Sequence, residues 1–82
     1  MQKPFEMDVD PETRWPRARF NFSNGWSASI LFRGTDGAAT IASLAAWPTM
    51  KKGMNHTEFG QHEASPEEVA AFLCEIAARN PA

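Results

Sequence analysis

The residues best suited to chemistry lie in one short segment, where two histidines flank a carboxylate. In His56-x-Glu58-x-x-x-His62, the spacing would place all three side chains on one face of an extended strand. Two imidazoles and a carboxylate can together bind zinc or iron. Gly60 interrupts the segment, however, and the strand would lie at a solvated sheet edge. We therefore expect plain surface residues here, with no bound metal ion and no other cofactor.

The single cysteine, Cys74, is a second chemical candidate, as a nucleophile paired with His56 or His62. No basic residue lies in its own helical turn to favour the reactive thiolate form. Its position beside an apolar helical stripe predicts a small core residue instead. One cysteine also excludes a disulfide bond within the chain. We expect this chain to have no catalytic activity.

A third set of candidates is basic and belongs to the middle of the chain. If residues 17–33 form a hairpin, alternate residues share one face of it. Such a basic, hydroxyl-rich face can bind nucleic acid, but single-strand binders also need aromatic side chains on which bases stack. We expect the strand aromatics on the opposite face, which makes direct nucleic-acid binding the weaker alternative. The polar face would carry Arg17, Arg19, Asn21, Ser27, Ser29, Leu31 and Arg33.

The turn of this hairpin contains Asn-Gly, and its length decides which side chains share a face. A two-residue loop would put Phe20 and Phe22 on the opposite face from Trp26. A three-residue loop, residues 23–25, pairs Phe22 with Trp26 and gathers nearly all the large apolar groups on one face. Because the buried face determines register, we predict the three-residue loop, with Gly25 left-handed in a bulge.

The segments around the hairpin complete the predicted sheet. Residues 38–47 are rich in alanine and fit either a helix or a strand; we interpret them as a strand, because sequential strands usually pair. Residues 34–37 predict a turn, residues 49–55 a loop, and residues 56–63 a short edge strand. Residues 1–16 contain three prolines, which predict an extended N-terminal arm.

A C-terminal helix is predicted over residues 66–79. Ser65-Pro66-Glu67-Glu68 offers an N-cap serine, a proline at the first helical position and a glutamate three residues after the cap. Apolar residues then recur at helical spacing. Glu75 and Arg79, four residues apart, form a favourable pair. The apolar stripe is expected to cover the hairpin, with a core of Phe20, Phe22, Trp26, Ile30, Phe32, Val69, Phe72, Leu73 and Ile76.

These elements predict an α+β fold, in which an antiparallel meander of three or four strands packs on one C-terminal helix. Residues 1–16 would be the arm, and residues 17–82 a single domain. A chain of 82 residues has room for one core, and an apolar fraction of 43% argues against disorder. No apolar run approaches the roughly 18 residues that span a bilayer, and no signal segment opens the chain. We therefore expect a cytoplasmic protein that does not interact with a membrane.

The net charge of −2 conceals a segregated distribution, because the acidic residues collect near both ends and the basic residues in the middle. Segregated charge can steer a partner toward one surface and select it by complementarity.

The hairpin segment, FNFSNGWSASI over residues 20–30, resembles small phage and prophage proteins with the pattern F-x-F-x-N-G-aromatic-x-A-S-aliphatic. Those proteins continue with a glycine-rich turn and a second strand, and end in an S/T-x-E-E helix. Ser65-Pro66-Glu67-Glu68-Val69 occupies that last place here. The resemblance covers residues 18–79 and implies no catalytic residues. This chain lacks the long Gly/Tyr-rich insert between the strands, and its segment from His56 to His62 is a further departure.

Small phage proteins of this kind are often anti-defence factors, and anti-CRISPR proteins are similar in size and acidic balance. The resemblance therefore implies a non-catalytic anti-CRISPR protein that acts in the infected bacterial host. It would bind an RNA-guided effector complex and present carboxylates to the channel that normally holds nucleic acid. The expected partner-binding residues are Asp8, Asp10, Glu58, Glu63, Glu67, Glu68 and Glu75.

The sequence is also compatible with two alternatives. One is a small nucleic-acid-binding accessory protein that uses the face of Arg17, Arg19 and Arg33. The other is a phage accessory protein without an inhibitory role. In each case we expect a monomer or a dimer formed through an edge strand.

Overall fold

The computed structural model describes residues 4–33, 41–51 and 54–81, which form one open sheet with a helix on one face. The strands lie in sequence order, and each is antiparallel to the next. The predicted α+β meander with a C-terminal helix is confirmed. Its elements are strands β1 (Phe5–Val9), β2 (Pro16–Asn21), β3 (Trp26–Arg33), β4 (Ile41–Pro48) and β5 (Glu58–Phe59), a 3-10 helix (Met54–His56) and helix α1 (Pro66–Ala77).

The N-terminal segment belongs to the sheet over residues 5–9, so there it is not the separate arm that its prolines predict. Strand β1 pairs with β2, which places Glu6 opposite Arg19 and Asp8 opposite Arg17. The sheet consequently has five strands rather than three or four. A segment between prolines can form an edge strand, because only one of its sides is paired.

The hairpin of β2 and β3 has the predicted three-residue loop. Phe20 lies opposite Ala28, and the backbone N–H of Phe22 donates to the carbonyl of Trp26 at 2.8 Å. Gly25 has a φ of 87°, a left-handed conformation that glycine adopts without steric cost. The large apolar side chains of both strands therefore share the face that α1 covers, and the predicted register is confirmed.

The alanine-rich segment is a strand over residues 41–48, paired with β3 along its whole length. Its place in the middle of the sheet outweighs the helical preference of its alanines, because packing on both neighbours decides strand formation. Residues 38–40 of the predicted strand lie outside the described residues, and so does the turn predicted at residues 34–37. The predicted edge strand is present as the two residues of β5.

Small side chains allow α1 to pack closely on β3 and β4. Ile76 of the helix meets Ala28 and Ala46 of the sheet, and all three are fully buried. Of the predicted core, Ile30 and Ile76 are buried, whereas the larger aromatic residues are half-buried around them. The sequence prediction missed most of the buried residues, because they are alanines. The buried apolar residues are Ala18, Ala28, Ile30, Ala42, Leu44, Ala46, Ala64 and Ile76.

Helix α1 begins as its sequence predicts. The hydroxyl of Ser65 accepts the Glu68 backbone N–H at 3.2 Å, and the Glu68 carboxylate accepts the Ser65 N–H at 2.8 Å. This reciprocal pair satisfies two backbone donors at the helix start. No helix in the described part of the chain is long and apolar enough to cross a membrane.

Candidate functional site

The face of the sheet opposite α1 carries polar and charged side chains from four strands. Ala28 and Ala46 point toward the helix, so the alternate residues Ser27 and Trp47 point away from it. We call this second surface the open face. It carries Arg17, Arg19 and Asn21 of β2, Ser27, Ser29, Leu31 and Arg33 of β3, and Ser43, Ala45 and Trp47 of β4, with Glu6 and Asp8 of β1 at one edge.

Two tryptophans lie against arginines of the open face. The guanidinium carbon of Arg19 is 5.9 Å from the ring centroid of Trp47, and that of Arg33 is 5.7 Å from the ring centroid of Trp15. Both distances are within the range of cation–π contacts. On β5, Phe59 lies on the same side of the sheet and is 57% exposed.

The expectation that the strand aromatics lie only opposite the arginines was therefore wrong. It considered the hairpin alone, whose Phe and Trp residues do lie on the helix side. In the sequence, Trp47 alternates with Ser43 and Ala45, which places these three residues on one face of β4. That face is known to be the one with the arginines only when the pairing of β4 with β3 is known. The position of Trp15 depends in addition on the turn between β1 and β2.

Arg17 is neutralised within the protein. It forms two hydrogen bonds with the carboxylate of Asp8, at 2.9 and 2.8 Å, and lies 3.7 Å from Asp10. The hydrogen bonds from Arg17 lower the pKa of Asp8. The pKa of Asp10 is also lowered, mainly by the backbone N–H of Thr13. These two carboxylates, predicted to bind a partner, thus have partners inside the fold.

Arg19 and Arg33 have no carboxylate partner among the described residues. The Nε of Arg19 is buried and lacks a hydrogen-bond acceptor. Arg33 donates a long hydrogen bond, 3.4 Å, to the carbonyl of His62. An unsatisfied buried donor costs about 1–3 kcal/mol, and a cation without an anion is attracted to one from outside. The open face therefore presents two guanidinium groups that an anionic ligand can neutralise.

Three of the glutamates predicted to bind a partner also have internal contacts. Arg79 donates to both oxygens of Glu58, at 2.7 and 3.0 Å, and to Glu75 at 3.1 Å. These hydrogen bonds lower the pKa of Glu58. Besides its capping role, Glu68 accepts a hydrogen bond from Gln61 at 2.6 Å. Glu63 and Glu67 are exposed, and neither forms an ion pair within the described part of the chain.

The other chemical candidates are not assembled into a centre. His56 lies in the 3-10 helix, Glu58 in β5 and His62 in a bend beyond it, so the predicted common strand face does not form. Among residues 4–33, 41–51 and 54–81, no three His, Cys, Asp or Glu side chains are grouped to hold a metal ion. Cys74 is exposed rather than in the core, because α1 packs mainly on β3 and β4 and buries a narrow stripe.

Comparisons with known proteins add no relative: no family model, no curated protein and no solved structure matches this chain. The resemblance of its hairpin to phage proteins, and the anti-CRISPR role that it implies, stay predictions.

Proposed function

We propose that this chain is a non-catalytic protein that binds single-stranded nucleic acid on its open face. One observation carries the proposal: two arginines without carboxylate partners among the described residues lie beside two tryptophans on the face of the sheet opposite α1. Proteins that bind single strands combine basic groups, which contact the phosphates, with aromatic rings, on which the bases stack.

Each arginine–tryptophan pair offers both kinds of contact at one place. Because its Nε is buried, Arg19 would bind a phosphate through its terminal N–H groups while a base stacks on Trp47. Arg33 and Trp15 would receive a neighbouring nucleotide in the same way. Because every base has a π-face, we expect binding with little preference for sequence.

Among the described residues, two cations of this face lack a carboxylate partner, so the salt dependence of binding is expected to be shallow. Each phosphate neutralised on a single strand contributes about 0.7 to the slope of log affinity against log salt concentration. Two contacts predict a slope of about −1.4.

Fluorescence anisotropy with a labelled deoxythymidine oligonucleotide, and with its uridine equivalent, tests this proposal at low and moderate salt. We expect Arg19→Gln to weaken binding and to reduce the steepness of the salt slope by about 0.7. Trp47→Leu should weaken binding by about 5- to 100-fold, whereas Trp47→Phe, which keeps an aromatic ring, should retain most of it.

The matched control is Lys51→Ala, which removes an exposed positive charge outside the sheet. It should change the affinity by no more than about twofold, because it leaves the open face intact. An unchanged anisotropy of both oligonucleotides at low salt would overturn the proposal. Equal binding by wild type and Trp47→Leu would overturn it as well.

A second candidate is the anti-CRISPR inhibitor that the hairpin resemblance implies. Glu63 and Glu67 are exposed near the start of α1 and form no ion pair within the described residues. Two such free carboxylates favour this inhibitor. Glu67, Glu68 and Glu75 lie on α1 and give the helix side of the molecule an acidic edge, which Glu63 precedes in the chain. An RNA-guided effector with a basic nucleic-acid channel would be the partner of that edge. Reversal of the charges on each surface separates the two functions.

A further inference from the structure

Strand β1 is an exposed edge with three large apolar side chains on the helix side of the sheet. Phe5 is 49% exposed, Met7 60% and Val9 56%. Helix α1 lies on the same face but leaves them uncovered, because it packs on β3 and β4 and not on the edge strand β1. The ring of Phe5 is 5.0 Å from that of Phe20, which stacks in turn at 6.1 Å from Phe22. An apolar row thus runs from the core to the free edge.

The backbone of β1 is ready to pair along this edge. Asn21 donates to the carbonyl of Pro4 at 2.9 Å, and Asp10 donates to the carbonyl of Trp15 at 2.9 Å. In an antiparallel ladder, residues that bond to the neighbouring strand alternate with residues that point away from it. The even-numbered residues of β1 therefore bond to β2. The N–H and C=O groups of Phe5, Met7 and Val9 point outward.

We propose that this edge binds an extended segment of a partner protein in which apolar and basic residues alternate. The segment would add a sixth strand to the sheet and bond to the outward backbone groups. Its apolar side chains would pack on Phe5, Met7 and Val9. Its basic side chains would lie on the opposite face, next to Glu6, since Asp8 is already bonded to Arg17. Cross-strand pairs of opposite charge stabilise such an arrangement.

Charge also argues against a second copy of this chain as the occupant. Antiparallel pairing of two β1 strands centred on Met7 would put Glu6 of one copy against Asp8 of the other. Pairing centred on Glu6 or on Asp8 would put that residue against itself. Like charges directly opposite each other are destabilising, so self-pairing is disfavoured in these three registers, and Glu6, which attracts a basic segment, is one of the charges responsible.

A synthetic peptide of alternating lysine and valine is the probe, and a peptide of alternating glutamate and valine is its control. Isothermal titration calorimetry should show binding of the lysine peptide only. Amide exchange measured by NMR should show protection of Phe5, Met7 and Val9 in the complex. Glu6→Lys should weaken binding of the lysine peptide and permit binding of the glutamate peptide.

Met7→Pro removes one outward N–H while leaving the bonds between β1 and β2 in place, and we expect it to lower peptide affinity about 10-fold or more. Met7→Leu keeps the N–H and should bind within about twofold of wild type. Equal binding of the two peptides, or wild-type affinity of Met7→Pro, would refute the proposal. A concentration-dependent dimer that Met7→Pro abolishes would also refute it, because the edge would then be used for self-pairing.

Discussion

Among single residues, Arg79 makes the main connection between the end of α1 and the edge of the sheet. Its guanidinium bonds to both oxygens of Glu58 and to Glu75, and it lies 4.6 Å from the ring centroid of Trp26. Arg79→Met keeps the aliphatic stem and removes the charge. We expect a loss of about 1–2 kcal/mol in the free energy of unfolding, because Glu58 is half-exposed and solvent screens the ion pairs. Urea denaturation at neutral pH measures it.

This contribution should depend on pH in one direction. The hydrogen bonds from Arg79 lower the pKa of Glu58 below its ordinary value of 4.5. A carboxylate whose pKa is depressed in the folded state adds stability above the unfolded pKa, and that stability is lost as pH falls through the folded pKa. The difference in unfolding free energy between wild type and Arg79→Met should therefore be constant from pH 7 to about 5, and should shrink below about pH 4. With Glu58→Gln as the background, that pH dependence should largely vanish; a difference that grows in acid would contradict the assignment.

Residue contacts were predictable from the sequence only between near neighbours. The pair of Glu75 and Arg79, one helical turn apart, is present at 3.1 Å. The bond from Arg79 to Glu58 spans 21 positions and depends on β5 lying beside the helix end. The contact of Arg19 with Trp47 likewise depends on three strands in register. Carboxylates that look like free charges in the sequence are, for the same reason, mostly paired in the fold.

At the scale of elements, the hairpin turn also caps the end of α1. The side-chain amide of Asn24 donates to the carbonyls of Ile76, Ala77 and Arg79, at 2.9, 3.2 and 3.2 Å, and its oxygen accepts the Trp26 N–H at 3.1 Å. Asn24→Asp keeps the shape and the acceptor. It replaces the donor with a charged oxygen at the negative end of the helix dipole. We expect a loss of about 2–3 kcal/mol in the free energy of unfolding.

Ser23→Asp is the matched control, because it adds the same charge at the preceding, exposed position of the turn. It should change stability by no more than about 0.5 kcal/mol. Both variants are compared by urea denaturation, with amide exchange reporting on the last turn of α1. Equal stability of the two variants would show that the amide of Asn24 does not hold the helix end.

The order and direction of the elements followed from local patterns, whereas the links between elements did not. The Asn-Gly turn, the Ser-Pro-Glu-Glu helix start and the alternation in β3 each act over a few residues, and all three are present as predicted. The cap by Asn24 joins positions 52 to 55 residues apart. The sequence did not predict strand β1. The prolines around it argue against a central strand, but they are compatible with an edge strand.

For the whole molecule, the two candidate functions use opposite charges on different residues, and charge reversal can separate them. The substitutions must avoid carboxylates and arginines that hold the fold together. Arg17, Glu68 and Glu75 are therefore unsuitable, because each has an internal partner. Arg19 and Arg33 in one variant, and Glu63 and Glu67 in the other, leave the described ion pairs intact. The two double reversals change the net charge by the same amount in opposite directions.

We expect Arg19→Glu with Arg33→Glu to abolish oligonucleotide binding, because two phosphate contacts become repulsive. Glu63→Lys with Glu67→Lys should retain or strengthen it. Circular dichroism checks that both variants are folded. The second measurement is the effect of each protein on the binding of target DNA by a purified RNA-guided effector. If the arginine variant still blocks the effector while the glutamate variant no longer does, the acidic edge is the functional surface and the open face is not. If the arginine variant loses oligonucleotide binding and neither protein affects the effector, the molecule acts on nucleic acid directly.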